Sequence, residues 1–318
     1  MKLQFDDIID LDEIKQRLSD PEASVRRIAV MNLIETAELE AIPLVIMALR
    51  DEDPEVRAEA ARVLDEFDGP EVISALVDGL HDADPSVRKN AADTLAENKN
   101  PDYTPILIKA LQTDDPFVKT SIFRGLREAK SAAAQQPAME ALTDADAQVR
   151  REAIGVLAYL HADDALFSLM NLAKTDASPE VRRAAVGALV FSKNDKIMGA
   201  LIEALQDENW QVREEAAIAI GKLKLASGLA PLIAAMDDEY WQVRQKAASS
   251  LGKLKDPKAV PILGEALSYQ VSNLRKEAAA ALGEIAHVSA IPFLEIALKD
   301  TDPDVRKLAR WAIDQINA

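Results

Sequence analysis

His81, His161 and His287 are the only histidines of this 318-residue chain, and it has no cysteine. These are the side chains that most often ligate a transition metal or act as a base near neutral pH. The three histidines fall in different copies of a roughly 31-residue sequence repeat and at different positions within them, so no shared metal is expected. The missing cysteine removes disulfides, thiolate catalysis and sulfur-ligated metal together. The eleven glycines form no phosphate-binding loop, and no serine sits in a nucleophile-elbow pattern. Pairs among the plentiful carboxylates are explained by solvated helix surface. No catalytic residue and no metal ligand is expected.

A recurring cation is the chemistry that remains. Val-Arg pairs stand at Val25-Arg26, Val56-Arg57, Val87-Arg88, Val149-Arg150, Val181-Arg182, Val212-Arg213, Val243-Arg244 and Val305-Arg306, with Val118-Lys119 and Leu274-Arg275 filling the series. The interval is 31 residues, once 32. Such a column suits phosphate binding. Six residues before the cation, however, stand Asp20, Asp51, Asp82, Asp144, Asp176, Asp207, Asp238 and Asp300. Matched columns of opposite sign predict a structural ladder of ion pairs instead.

Two sets of residues are candidates for partner binding. Counting from the landmark valine, offsets two, six and ten hold Arg151, Gly155 and Tyr159 in one repeat and Arg183, Gly187 and Phe191 in the next. A glycine inside a helix costs about 1 kcal/mol relative to alanine, so two in register need a reason. One reason is an apolar recess floored by the glycines, with the two rings beside it and the arginines holding an anionic group. The other is relief of crowding between helices. The second set, Trp210, Tyr240, Trp241 and Tyr269, recurs at turn positions. There the rings either anchor a protein partner or lie over the next helix end in place of a lost cap.

The elements that must position these residues are legible from the period. Ala41 to Leu49 reads as a short helix with Pro43 in its first turn, Arg50-Asp51-Glu52 as a turn, and Asp53-Pro54 as the cap and first position of a second helix reaching about Phe67. Four residues after the landmark, nine of ten repeats have alanine, with Ile122 the exception; eight residues after it, all ten have leucine or isoleucine. Those offsets share one helical face. Each unit is thus a helical hairpin. A fixed period in this range means hairpins stacked one on the next. Residues 1–10 are expected to form an N-terminal cap segment and 11–318 a single solenoid of roughly 90–100 Å.

The net charge of −17 disfavours nucleic acid and anionic membrane and suits a basic or extended protein segment, besides keeping the protein soluble. The start, Met1-Lys2-Leu3-Gln4-Phe5-Asp6-Asp7, has no apolar signal core. No uncharged run nears the roughly eighteen residues of a membrane span. A cytoplasmic location is expected.

The pattern Asp-Pro-x-Val-Arg-x-x-Ala-x-x-x-Leu, followed by a short proline-initiated helix, resembles the HEAT repeat. More narrowly, it is similar to the HEAT-like repeat of the phycobilisome-lyase superfamily, over about Leu11 to Ile316. The resemblance implies an all-α, right-handed α-solenoid of ten two-helix repeats. That superfamily includes scaffolds, assembly chaperones, bilin lyases and a metal hydroxylase. It therefore implies a non-enzymatic protein-interaction scaffold, or an assembly or maturation factor, that binds a protein partner along a concave groove without a cofactor. A bilin lyase subunit or a chaperone for cofactor insertion is the alternative, and only there would a tetrapyrrole be handled. The hydroxylase, deoxyhypusine hydroxylase, uses His-Glu pairs. Here Asp82, Ala162 and Val288 follow the histidines, so that di-iron site does not carry over.

Overall fold

Asp53 fixes where a second helix begins. Its Oδ1 accepts the backbone N–H groups of Glu55 at 2.8 Å and Val56 at 3.4 Å, satisfying donors that have no partner within the helix. Pro54 follows at the first helical position, where its missing N–H costs nothing. Asp84, Asp115 and Asp146 repeat this cap. The computed structural model describes residues 11–36, 40–192, 194 and 196–318. The expected cap segment 1–10 lies outside them.

Twenty α-helices and no strand occur among the described residues, in two compact units that divide after Leu160. The first holds five hairpins. They are α1 (Leu11–Arg17) with α2 (Ala23–Thr36), α3 (Ala41–Ala48) with α4 (Pro54–Val63), α5 (Pro70–Gly79) with α6 (Pro85–Glu97), α7 (Thr104–Ala110) with α8 (Pro116–Ala129), and α9 (Gln135–Ala141) with α10 (Ala147–Tyr159). The second holds five more: α11 (Leu166–Thr175) with α12 (Pro179–Leu189), α13 (Ile197–Ala204) with α14 (Trp210–Leu223), α15 (Leu229–Ala235) with α16 (Trp241–Leu254), α17 (Val260–Ala266) with α18 (Ser272–Ile285), and α19 (Ile291–Ala297) with α20 (Pro303–Asn317).

Within each unit the second helices pack side by side in chain order, and each is backed by its own first helix. The alanines at offset four are fully buried, as is Ile122, so neighbouring helices approach closely along that line. The leucines and isoleucines at offset eight fill the space between hairpins, and only Ile313 is half-buried. Burying each such side chain contributes about 1.5–3 kcal/mol.

Three local features depart from the expected hairpin. The helix expected to reach about Phe67, α4, ends at Val63, and Leu64–Glu66 continue as a 3-10 turn rather than α-helix. Six first helices are entered through 3-10 turns, such as Pro101–Tyr103, Pro257–Ala259 and Val288–Ala290. Lys130, His161, Lys224, Lys255 and Ala286 adopt left-handed conformations at φ of 51° to 55°, all at offset twelve. That geometry stops a second helix and turns the chain into the next first helix.

Candidate binding surface

The cation column forms a ladder that runs forward along each unit. Arg26 donates through Nε and Nη2 to both oxygens of Asp51, each at 2.7 Å, while its Nη1 donates to the carbonyls of Asp20 and Pro21 in its own turn. Arg57 does the same to Asp82, Arg182 to Asp207, Arg213 to Asp238 and Arg275 to Asp300. Each guanidinium thus joins its own turn to the turn of the following hairpin, and each Asp also accepts a backbone N–H two residues on. Thr113 occupies the Asp position of the fourth hairpin, and there Arg88 reaches the capping Asp115 at 2.7 Å instead. Lys119 bonds Asp144 at 2.7 Å.

Donation by Arg26, Arg57 and Arg275 holds the Asp51, Asp82 and Asp300 carboxyls below the usual range, against the opposing pull of burial. At Asp238 burial is the larger influence and raises the pKa, but Arg213 and the backbone of Tyr240 outweigh it. The ladder ties these cations into the fold. Among the described residues it leaves no row of open phosphate-binding guanidiniums.

On α8 and α10 the solvent-facing stripe carries Arg124, Arg127 and Glu128, and Arg151, Gly155 and Tyr159. Arg151 points to Glu152, a carboxylate only 6% exposed, with Nη2 to Oε1 at 2.6 Å. Arg127 approaches the same carboxylate at 3.4 Å and Arg124 at 3.7 Å. A side chain on Gly155 would begin 3.6 Å from Arg127 Cδ, so the glycine is covered by a charged side chain of the preceding hairpin. Tyr159 is 44% exposed, with Lys130 Nζ 5.1 Å from its ring centre.

In the second unit, Arg183 Nε lies 3.5 Å from Glu215, and Glu215 also covers Gly187, 3.3 Å from where a Cβ would sit. Phe191 is 49% exposed and stacks on the His161 ring at 5.0 Å. In both units, then, the glycine faces a charged side chain and the arginine faces a carboxylate.

Trp210 and Trp241 open α14 and α16, Tyr240 precedes Trp241, and Tyr269 lies in the turn after α17. Trp210 and Tyr240 stack at 5.5 Å, and the Arg213 guanidinium lies 5.6 Å from the Tyr240 ring. Asn209 still caps α14 by accepting from Gln211 at 2.9 Å, so that cap is kept; α16 and α18 have no side-chain cap. Tyr269 takes the place of the Asp that would meet Arg244. Its ring lies 5.0 Å from that guanidinium, whose Nε is buried without a hydrogen-bond partner. Tyr269 also lines a groove of about 570 Å³ with Arg275, Phe293, Ile296 and Asp300.

Sequence reasoning missed Gly221, Gly252 and Gly283, although their 31-residue spacing is visible. A Cβ on Gly221 would lie 2.9 Å from Ser250 Cα, on Gly252 2.9 Å from Ala281 Cα, and on Gly283 3.0 Å from Ala312 Cα. They bring α14, α16, α18 and α20 into near backbone contact. It also missed Arg124, Arg127 and Glu152, whose convergence depends on which side chain fills the space above Gly155.

Among the described residues no group of three or more His, Asp or Glu side chains could hold a metal ion, and no helix is long and apolar enough to cross a membrane. The model of HEAT repeats matches residues 11–84, 73–158, 136–221, 166–241 and 229–314. The chain belongs to the HEAT-repeat family. No curated protein matches its sequence. Among solved structures it resembles an engineered protein at 23% identity and a TM-score of 0.51, covering 97% of this chain and 99% of that one. The YibA protein of E. coli is similar at 21% identity and a TM-score of 0.54, covering 94% and 99%. Yeast importin-β (Kap95p) is similar at 13% identity with a TM-score of 0.68, covering 96% of this chain and 50% of that one. The chain thus spans about half the length of the importin. At these identities the likeness is one of fold: an α-solenoid of two-helix repeats.

Proposed function

We propose that this protein is a non-enzymatic scaffold, or an assembly or maturation factor, that works in the cytoplasm by presenting the solvent-facing stripe of its second helices, the lining expected of a concave groove, to a protein partner. One observation carries the reading. Tyr159 in the first unit and Phe191 in the second stand at the same repeat offset, each about half exposed, the one beside Lys130 and the other stacked on His161. Aromatic rings are enriched at the cores of protein interfaces. The fold neighbour Kap95p has been solved with RanGDP and with Nup1, so this architecture is compatible with partner binding.

Capture of partners from the native host tests the proposal. The Tyr159→Ala and Phe191→Ala double variant should lose captured protein while keeping its helical signal. Equal capture by variant and parent would remove these rings from the interface.

The narrower kinship with phycobilisome lyases belongs to the same proposal as its second reading. What favours it is the Asp-Pro-x-Val-Arg signature together with arginines at offset two of the repeats whose offset ten carries an exposed ring, groups that suit the carboxylates and rings of a tetrapyrrole. Arg151 and Arg183 already face Glu152 and Glu215, and for that reason the scaffold reading comes first. Colour that co-purifies with the protein, or bilin transfer to an acceptor, would reverse the order.

A further inference from the structure

The arginines around Glu152 are unlike those of the ladder. A ladder arginine such as Arg26 or Arg57 grips one aspartate through both of its oxygens, donates to two carbonyls of its own turn and is largely enclosed. Arg124, Arg127 and Arg151 instead share one buried carboxylate, and each keeps more than a third of its side chain in solvent. Glu128 pairs with Arg127 at 3.1 Å. Two carboxylates against three guanidiniums leave one positive charge in excess, and Lys130 beside the Tyr159 ring adds a second. On the adjoining α6, Lys89 and Asp93 neutralise each other at 3.0 Å, and the offset of Glu128 is held by Glu97. Within the first unit the basic strip therefore ends at α6, on a chain of net charge −17.

We propose that this strip is a docking site for an acidic peptide segment of a protein partner, one with at least two carboxylate side chains and an apolar residue between them. The proposal deepens the scaffold reading and rests on it. Glu152 shows that a carboxylate fits among these guanidiniums, and its burial fixes their orientation before any ligand arrives. Charge-assisted bonds to pre-oriented guanidiniums are stronger than neutral ones and lose less side-chain entropy on binding. The excess charge sits at two places, the arginine cluster and Lys130, which matches two carboxylates. Tyr159, about half exposed, offers its ring to the apolar residue between them. The protein's overall negative charge does not forbid this, because at physiological salt fields are screened over about 8 Å and the local excess dominates at contact.

The test uses the full chain and a fluorescein-labelled peptide of repeated Glu-Glu-Leu, with two matched peptides in which glutamine or phosphoserine replaces glutamate. The glutamate peptide is expected to bind at least about ten-fold tighter than the glutamine peptide, equivalent to about 1.4 kcal/mol, and to weaken with salt. Arg124→Gln combined with Lys130→Gln should weaken it about ten-fold without moving the melting temperature, whereas Lys222→Gln with Lys253→Gln, in the other unit, should leave it unchanged. Equal binding of the glutamine peptide, clear preference for phosphoserine, or equal loss in the second pair would overturn the assignment. If the host partner is still captured through Tyr159 and Phe191 while the glutamate peptide fails, the scaffold reading stands and this inference alone falls.

Discussion

Arg57 closes two bonds onto Asp82, Nε to Oδ2 at 2.8 Å and Nη2 to Oδ1 at 2.9 Å, while its Nη1 turns back to the carbonyl of Asp51 at 2.9 Å. Both side chains are largely out of solvent. Asp82→Asn keeps the shape but leaves the guanidinium without its counter-charge, and uncompensated charges of this kind are costly. The expected loss is about 2–3 kcal/mol, read as a lower urea midpoint. A midpoint within error of the parent would mean that the rung adds nothing net.

Acid should weaken the protein in a defined window. The Asp51, Asp82 and Asp300 carboxyls hold their protons less tightly folded than unfolded, first because of the arginine bonds. Such groups favour the folded state above their unfolded value of about 3.9 and lose that contribution as pH falls through the folded value. Thermal stability from these rungs should be flat from about pH 5 upward and decline below about pH 4. Asp82→Asn should decline less steeply; a parallel decline would place the acid sensitivity elsewhere.

Two glycines on second helices should respond oppositely to alanine. Gly252→Ala places a methyl 2.9 Å from the backbone of Ala281, so the helices must part, at a cost of about 1–3 kcal/mol. At Gly155 the same methyl meets only Arg127, at an ordinary contact distance of 3.6 Å. The gain in helix propensity then prevails, stabilising by up to about 1 kcal/mol. Melting temperatures of the two variants check this, and a drop for both would show that Arg127 cannot share the space.

Tyr269 interrupts the ladder, and Tyr269→Asp should restore it. The present contact with Arg244 contributes about 0.5–1 kcal/mol as a cation–π pair. Leaving the buried Nε without an acceptor costs about 1–3 kcal/mol. The rung should win by about 1 kcal/mol, seen as a raised melting temperature. A fall would show that packing of the ring outweighs the missing bond.

What could be read from the residues alone follows the same physics. Helix starts were legible because Asp53-Pro54 and its repeats state the cap in their own chemistry, and burial was legible because alanine and leucine recur at four and eight. The ladder was half legible: the two columns announced pairing, but not that each cation reaches forward to the next hairpin while bracing its own turn. The left-handed stops at Lys130, Lys224, Lys255 and Ala286 were hidden, because none is the glycine that usually signals that conformation. The surface around Gly155 was hidden for another reason. A gap in one helix is filled by whichever neighbour has reach, and no spacing rule says that Arg127 fills it.

Because each fastening spans 25 residues forward and repeats every 31, a hairpin copied in tandem would arrive already equipped to clasp the one before it and the one after it. Lengthening such a chain asks for no new inter-hairpin chemistry. Only the stripe facing solvent is then left to diverge, and there successive repeats carry such different residues as Glu128, Tyr159, Phe191 and Lys222.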